Sequence, residues 1–120
     1  SVPFALIADG VRGVLSKRQL IGTWKASRVE KGSLTYHTFN LEKDGSFSYT
    51  RKDDYEPEYY SGTWKINSLG FITFNVTKAS PYTDQVGKFV MFSVYDKDDK
   101  SLYLGGNDDF LGDGLSLYKQ

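Results

Sequence analysis

From Leu20 onward, apolar and polar side chains alternate with a period of two, in short runs separated by turn residues. Leu20, Gly22, Trp24 and Ala26 fall on one face of a first strand, with Ile21, Thr23, Lys25 and Ser27 on the other. After Lys31-Gly32, a second strand over about 34–41 turns Phe39 and Leu41 inward. Lys43-Asp44-Gly45 is a strong hairpin signal, because Asp-Gly tolerates the positive φ that tight hairpins need. A third strand over 46–51 carries Phe47 and Tyr49, and a charged loop, Lys52 to Pro57, follows.

The alternation resumes over 58–66, with Tyr60, Gly62, Trp64 and Ile66 against Tyr59, Ser61, Thr63 and Lys65. Asn67 to Gly70 turns the chain into a fifth strand of Ile72, Phe74 and Val76. After Lys78 to Gln85, a sixth strand over 87–95 is apolar on both faces. Val90, Phe92 and Val94 are assigned inward, and Phe89, Met91 and Tyr95 outward. Leu102 and Leu104 mark a seventh strand, and Leu115 and Leu117 an eighth beyond the Gly- and Asp-rich loop 105–114.

No connection has room for a crossover helix, so the pattern predicts an all-β, eight-stranded antiparallel up-and-down barrel. Closure removes exposed sheet edges. A short N-terminal helical segment is expected before it. Phe4, Leu6, Ile7, Val11, Val14 and Leu15 recur at helical spacing, although Gly10 and Gly13 weaken that pattern. Ser16-Lys17-Arg18-Gln19 has the form of a capping box, and Leu15 and Leu20 stand where a hydrophobic staple would place them. A helical turn at about 17–20 follows. Residues 1–19 thus read as a segment packing on or closing the barrel, and 20–120 as the barrel domain.

Leu20-Ile21-Gly22-Thr23-Trp24 resembles the Gly-x-Trp signature that opens the first strand of lipocalins and their calycin relatives, just after a short helical turn. The later spacing is similar to small bacterial lipocalin-like domains: Phe39 to Phe47 around Asp44-Gly45, then Gly62-Thr63-Trp64, then Ile72-Thr73-Phe74. The resemblance implies a binding barrel and points toward export, whereas composition leaves the compartment open. Where lipocalins pack an arginine over the signature Trp, the nearest basic residue here is Lys119, which cannot stack as a planar guanidinium does. Gly22-Thr23-Trp24-Lys25 is also similar to fatty-acid-binding proteins, but the short link after the first strand has no room for their helix pair. The same Gly-Thr-Trp-Lys tetrad recurs at 62–65, as expected of one packing solution used twice.

Composition narrows the chemistry. Nine Tyr, eight Phe and two Trp against three Pro favour strands. Fifteen basic and fifteen acidic residues cancel, so no global field favours nucleic acid. The absence of Cys excludes disulfides, thiolate metal sites and cysteine nucleophiles. No apolar run is long enough to span a membrane as a helix. Ser1 to Ala8 lacks the basic leader of a signal peptide, and reads either as the start of a processed mature chain or as an artificial boundary.

The catalytic inventory is poor. His37, the only histidine, lies in a strand without nucleophile-elbow or metal spacing around it, so no enzyme and no cofactor is expected. Asp53, Asp54, Glu56 and Glu58, then Asp96, Asp98 and Asp99, read as solvated turn carboxylates. Asn107, Asp108, Asp109 and Asp113 form the best calcium candidate, but lack the alternating ligands and distal Glu of an EF-hand, and no metal is assigned. Asn75-Val76-Thr77 is a glycosylation sequon in a predicted strand.

The interior carries the functional expectation. Trp24, Phe39, Phe47, Tyr49, Tyr60, Trp64, Phe74 and Phe92 are assigned inward, and so many rings either fill the barrel or leave a cavity at one end. Tyr49, Arg51 and Tyr60 would line such a mouth, with Arg51 meeting an anionic group, and Trp64 and Phe92 complete the ligand-facing set. The leading expectation is a non-enzymatic binding domain for a small apolar or amphipathic ligand. The alternative is a protein-interaction module, such as an inhibitor, an envelope accessory protein or a homodimer. It would act through its loops or an outer face of Phe89, Met91, Tyr103 and Tyr118, with Tyr95 beside them, unless the N-terminal segment covers that face.

Overall fold

The computed structural model describes residues 16–80, 86–106, 110–111 and 114–120. One helical turn, α1 (Lys17–Leu20), precedes strands β1 (Gly22–Glu30), β2 (Ser33–Leu41), β3 (Ser46–Lys52) and β4 (Glu58–Ile66). Strands β5 (Phe71–Ala79), β6 (Gly87–Asp96), β7 (Ser101–Gly105) and β8 (Leu115–Lys119) follow. Each strand pairs antiparallel with the next, and β8 returns to β1 through Trp24↔Lys119 and Lys25↔Tyr118, closing the barrel. The expected meander and the expected turn at 17–20 are therefore present. The helical pattern through Phe4 to Leu15 lies outside the described residues.

Local chemistry sets the corners. The Gln19 side chain accepts from the Ser16 N–H at 2.7 Å, holding the start of α1. At the β2–β3 hairpin, Gly45 takes φ 92°, and Asp44 Oδ1 accepts from the Ser46 N–H at 2.9 Å.

The two Gly-Thr-Trp-Lys strands perform equivalent tasks at the barrel end nearest α1. Trp24 Nε1 donates to the Leu20 carbonyl at 2.8 Å, and Trp64 Nε1 to the Glu42 carbonyl at 3.0 Å. Each buried indole thus finds an acceptor, as burial of its N–H requires. Each ring also carries a lysine ammonium 5.7 Å from its centroid, Lys119 on Trp24 and Lys17 on Trp64. Lys119 therefore covers Trp24 by a cation–π contact, not by planar stacking. Gly62 is required for another reason. The β4–β5 register shifts between Ser61 and Gly62, and a Cβ at Gly62 would overlap the Asn75 carbonyl oxygen.

One strand runs in the opposite phase to its expected one. In β6, Phe89, Met91 and Tyr95 face the core, whereas Val90, Phe92 and Val94 face out. Met91 is 1% exposed and Phe92 40%. Both faces of this strand are apolar, so alternation carries no phase information, and pairing decides. The inner residues Ile72 and Phe74 oppose Met91 and Phe89, while Phe71 opposes Phe92. Phe92 then packs outside on Tyr103, 5.7 Å away, over the bare backbone of Gly105 and Gly106. The inward Ser93 is satisfied by donating to the Gly70 carbonyl.

Candidate functional site

The inward phase of β1 to β4 gives the barrel two different ends. Near α1 it supplies Trp24, Leu41, Phe47 and Trp64. At the far end the same phase continues into Arg28, Glu30, His37, Arg51 and Glu58. These meet because Ala26 opposes His37, His37 opposes Arg51, and Arg51 opposes Glu58.

Glu30 is the hub. Its Oε2 accepts from Arg28 Nε at 2.5 Å and His37 Nε2 at 2.6 Å, and its Oε1 from Arg51 Nη2 at 2.9 Å. Burial by itself would raise its pKa, but the hydrogen bonds from Arg28, His37 and Arg51 outweigh this and hold it at about 2. Arg51 also reaches Glu58 Oε2 at 3.1 Å and Asp53 Oδ2 at 3.6 Å. Burial would lower its pKa, and the pairing with Glu30 and Glu58 raises it instead.

His37 is 1% exposed, with both ring nitrogens occupied. The ionised Glu30 can only accept, so Nε2 carries the proton, and Nδ1 accepts from the Tyr49 hydroxyl at 2.7 Å. Burial lowers the His37 pKa despite the Glu30 hydrogen bond and charge, and the Arg28 and Arg51 charges lower it further. The imidazole is neutral. Burial likewise pushes the Tyr49 hydroxyl above its ordinary value. Glu30, His37 and Tyr49 form a hydrogen-bond chain that holds three side chains in place.

Next to this polar ring lies an aromatic seat. Phe39, Tyr49, Tyr60, Phe74 and Phe89, one residue from each of β2 to β6, surround the ring of Phe110 with centroids 4.8–6.5 Å away. Phe110 comes from the β7–β8 connection and is 7% exposed. Arg28 ties that connection down, with Nη1 donating to the Gly114 carbonyl at 2.6 Å and Nη2 to the Leu111 carbonyl at 3.2 Å.

Of the residues expected to face a ligand, Tyr49, Arg51 and Tyr60 come together here, and the two tyrosines stack at 5.4 Å. Tyr60 also donates to Glu58 Oε1 at 2.6 Å. The anions that Arg51 meets belong to the chain itself. Trp64 lies toward the α1 end, and Phe92 is on the outer surface. Of the expected outer face, Tyr103 and Tyr118 do point outward, but Met91 is buried and Phe89 packs against the core. The outward apolar residues of β5 to β7 are instead Phe71, Val90, Phe92, Val94 and Tyr103. Among the described residues no three His, Cys, Asp or Glu side chains group as metal ligands, and Asn107, Asp108, Asp109 and Asp113 lie outside them. The described helix is too short to cross a membrane.

Arg28, Glu30 and His37 were not anticipated as site residues. They share parity with Trp24 and Phe39, and continuing that alternation past the last apolar side chain would have turned them inward. Comparison with known proteins adds no assignment: no family model, curated protein or solved structure matches the chain.

Proposed function

We propose that this protein is a non-enzymatic, lipocalin-like binding domain that takes a small apolar or amphipathic molecule at the barrel end opposite α1. The carrying observation is the seat around Phe110, in which five strands each contribute one ring to enclose a single side chain presented by a loop. Phe110 occupies the position a ligand would take, so binding requires its displacement. A polar rim of Arg28, Arg51 and Glu58 beside an apolar floor suits an amphipathic guest. The resemblance to small bacterial lipocalin-like domains extends the proposal to an exported bacterial protein.

The test is titration of ring-bearing fragments into the full chain and its Phe110→Ala variant, followed by NMR. Saturable one-to-one binding that shifts Tyr49 and Phe89 resonances is expected, tighter in the variant because the competing ring is gone. If neither protein binds any fragment, Phe110 is an ordinary core residue and the proposal fails.

A second reading, self-association through the outer face, is favoured by Phe92 sharing one surface with Phe71, Val94 and Tyr103. It expects dimers that Phe92→Lys dissolves, and a strictly monomeric wild type overturns it.

A further inference from the structure

A different site lies on the outside of the barrel, over the seam where β8 meets β1. The two strands join through Trp24↔Lys119 and Lys25↔Tyr118, the shortest ladder in the sheet. A cleft of about 340 Å³ opens beside this seam, and its lining includes Lys25, Ser27, Tyr36, Ser116, Tyr118 and Gln120. We propose that this cleft binds a short saccharide, whose pyranose rings stack on Tyr36 and Tyr118, and that it prefers acidic sugars to basic ones.

The two tyrosines carry the stacking. Each is 53% exposed, Tyr36 on β2 and Tyr118 on β8. Tyr36 opposes Ser27 and Tyr118 opposes Lys25, so they stand diagonally across β1, about 12 Å apart at Cα by ordinary sheet spacings. Their other cross-strand neighbours are Lys52 and Ser101. No aromatic or branched partner therefore covers either ring in the way that cross-strand pairs stabilise sheets. Among the described residues neither ring contacts another ring, and neither hydroxyl is hydrogen-bonded. Two flat apolar faces are thus held at a fixed separation and left open to solvent.

The rest of the lining selects a polyhydroxylated guest. A pyranose presents C–H groups on its faces and hydroxyls around its rim, so it needs aromatic faces beside groups that both donate and accept. Tyrosine supplies the first and its hydroxyl the second. Ser27 and Ser116 add two further hydroxyls without hydrogen bonds among the described residues. Gln120 Nε2 donates to the Tyr118 carbonyl at 2.9 Å, which keeps its side chain beside the cleft and leaves Oε1 to accept. A purely apolar ligand would desolvate these groups without matching them. Serine and lysine are also depleted at the cores of protein interfaces, which separates this cleft from the apolar face around Phe92. Lys25 is the single charged side chain in the lining, so a sugar carboxylate is attracted and an amino sugar repelled.

NMR titration of the full chain with trigalacturonate, cellotriose, a glucosamine trimer and citrate tests this. Saturable binding of trigalacturonate at millimolar concentration or below is expected, weaker binding of cellotriose, and the weakest of the glucosamine trimer. Citrate, which has carboxylates but no ring, should not bind. Signals of Ser27, Tyr36 and Tyr118 should move while those of Tyr49 and Phe89 stay, which separates this cleft from the Phe110 seat without any substitution. Tyr36→Ala and Tyr118→Ala should each weaken trigalacturonate by about tenfold or more, and the corresponding Phe variants should keep most of the affinity. Binding of none of the three sugars overturns the proposal, as does binding that moves Tyr49 and Phe89 instead. Citrate binding as tightly as trigalacturonate overturns the stacking, and a glucosamine trimer that binds as tightly overturns the preference set by Lys25. Shifts of Tyr36 and Tyr118 that depend on protein concentration alone would assign the cleft to a second copy of the chain and overturn the saccharide.

Discussion

Glu30 and His37 lie on strands paired through a tight hairpin, and the carboxylate accepts from the imidazole Nε2 at 2.6 Å inside the barrel. That bond sets the histidine tautomer, which then lets Tyr49 donate to Nδ1. The barrel end opposite α1 is organised around this pair.

Replacing Glu30 by Gln should be costly. The variant leaves Arg28 and Arg51 facing a neutral amide that cannot accept from all three donors. Partial exposure of the pairs moderates the loss, so a destabilisation of about 2–3 kcal/mol is expected. Urea denaturation measures it, and a change below about 0.5 kcal/mol would place Glu30 among weak surface ion pairs.

Acid should weaken the fold in two stages. The His37 pKa is lowered from 6.5 in the folded state, so the unfolded chain binds the proton first, and stability falls as pH drops below 6.5. The Glu30 pKa is lowered from 4.5 to about 2, so its contribution is complete above 4.5 and is lost as pH falls toward 2. Urea midpoints against pH should show both stages in the wild type, and His37→Gln should remove the one nearer neutrality while leaving a reduced acid stage, since Arg28 and Arg51 still hold Glu30.

Two glycines with similar crowding should respond differently to Ala. At Gly62 the added methyl meets the Asn75 backbone carbonyl inside a paired ladder, which has no room to yield. At Gly114 it meets the outer end of the Tyr103 side chain, which is 37% exposed and can swing away. Gly62→Ala should cost about 3 kcal/mol or prevent folding, and Gly114→Ala less than about 1 kcal/mol. Comparable melting temperatures for the two variants would contradict this.

Lys119→Met should remove the cation over Trp24 and the 3.3 Å hydrogen bond to the Gln19 carbonyl, while keeping the aliphatic cover of Gly22. The expected loss is about 1 kcal/mol, and Lys119→Arg should restore most of it. Thermal unfolding of both variants reads the difference.

Much of this protein is determined by the sequence itself. Period-two alternation, Asp44-Gly45 and the absence of any crossover-length connection specify an antiparallel eight-stranded meander. Parity in β1, β3 and β4 turns Trp24, Tyr49 and Tyr60 inward, because each outer face there is mostly polar, with Val29 and Tyr59 the exceptions, and the inward phase buries the most ring surface. The tertiary structure decided what local pattern could not express. In β6 both faces are apolar, so the phase came from pairing with Ile72 and Phe74, which put Met91 inside and Phe92 outside. Arg28, Glu30 and His37 share the inward parity of Trp24 and Phe39, so alternation gives their direction, but only the pairing of β1 with β2 brings them within hydrogen-bonding reach of one another. Phe110 stands in a Gly- and Asp-rich loop with no periodicity, and only three-dimensional packing brings it against rings from five strands. Alternation reports which face of a strand is buried. It carries no information about which distant side chain will fill the space that face encloses.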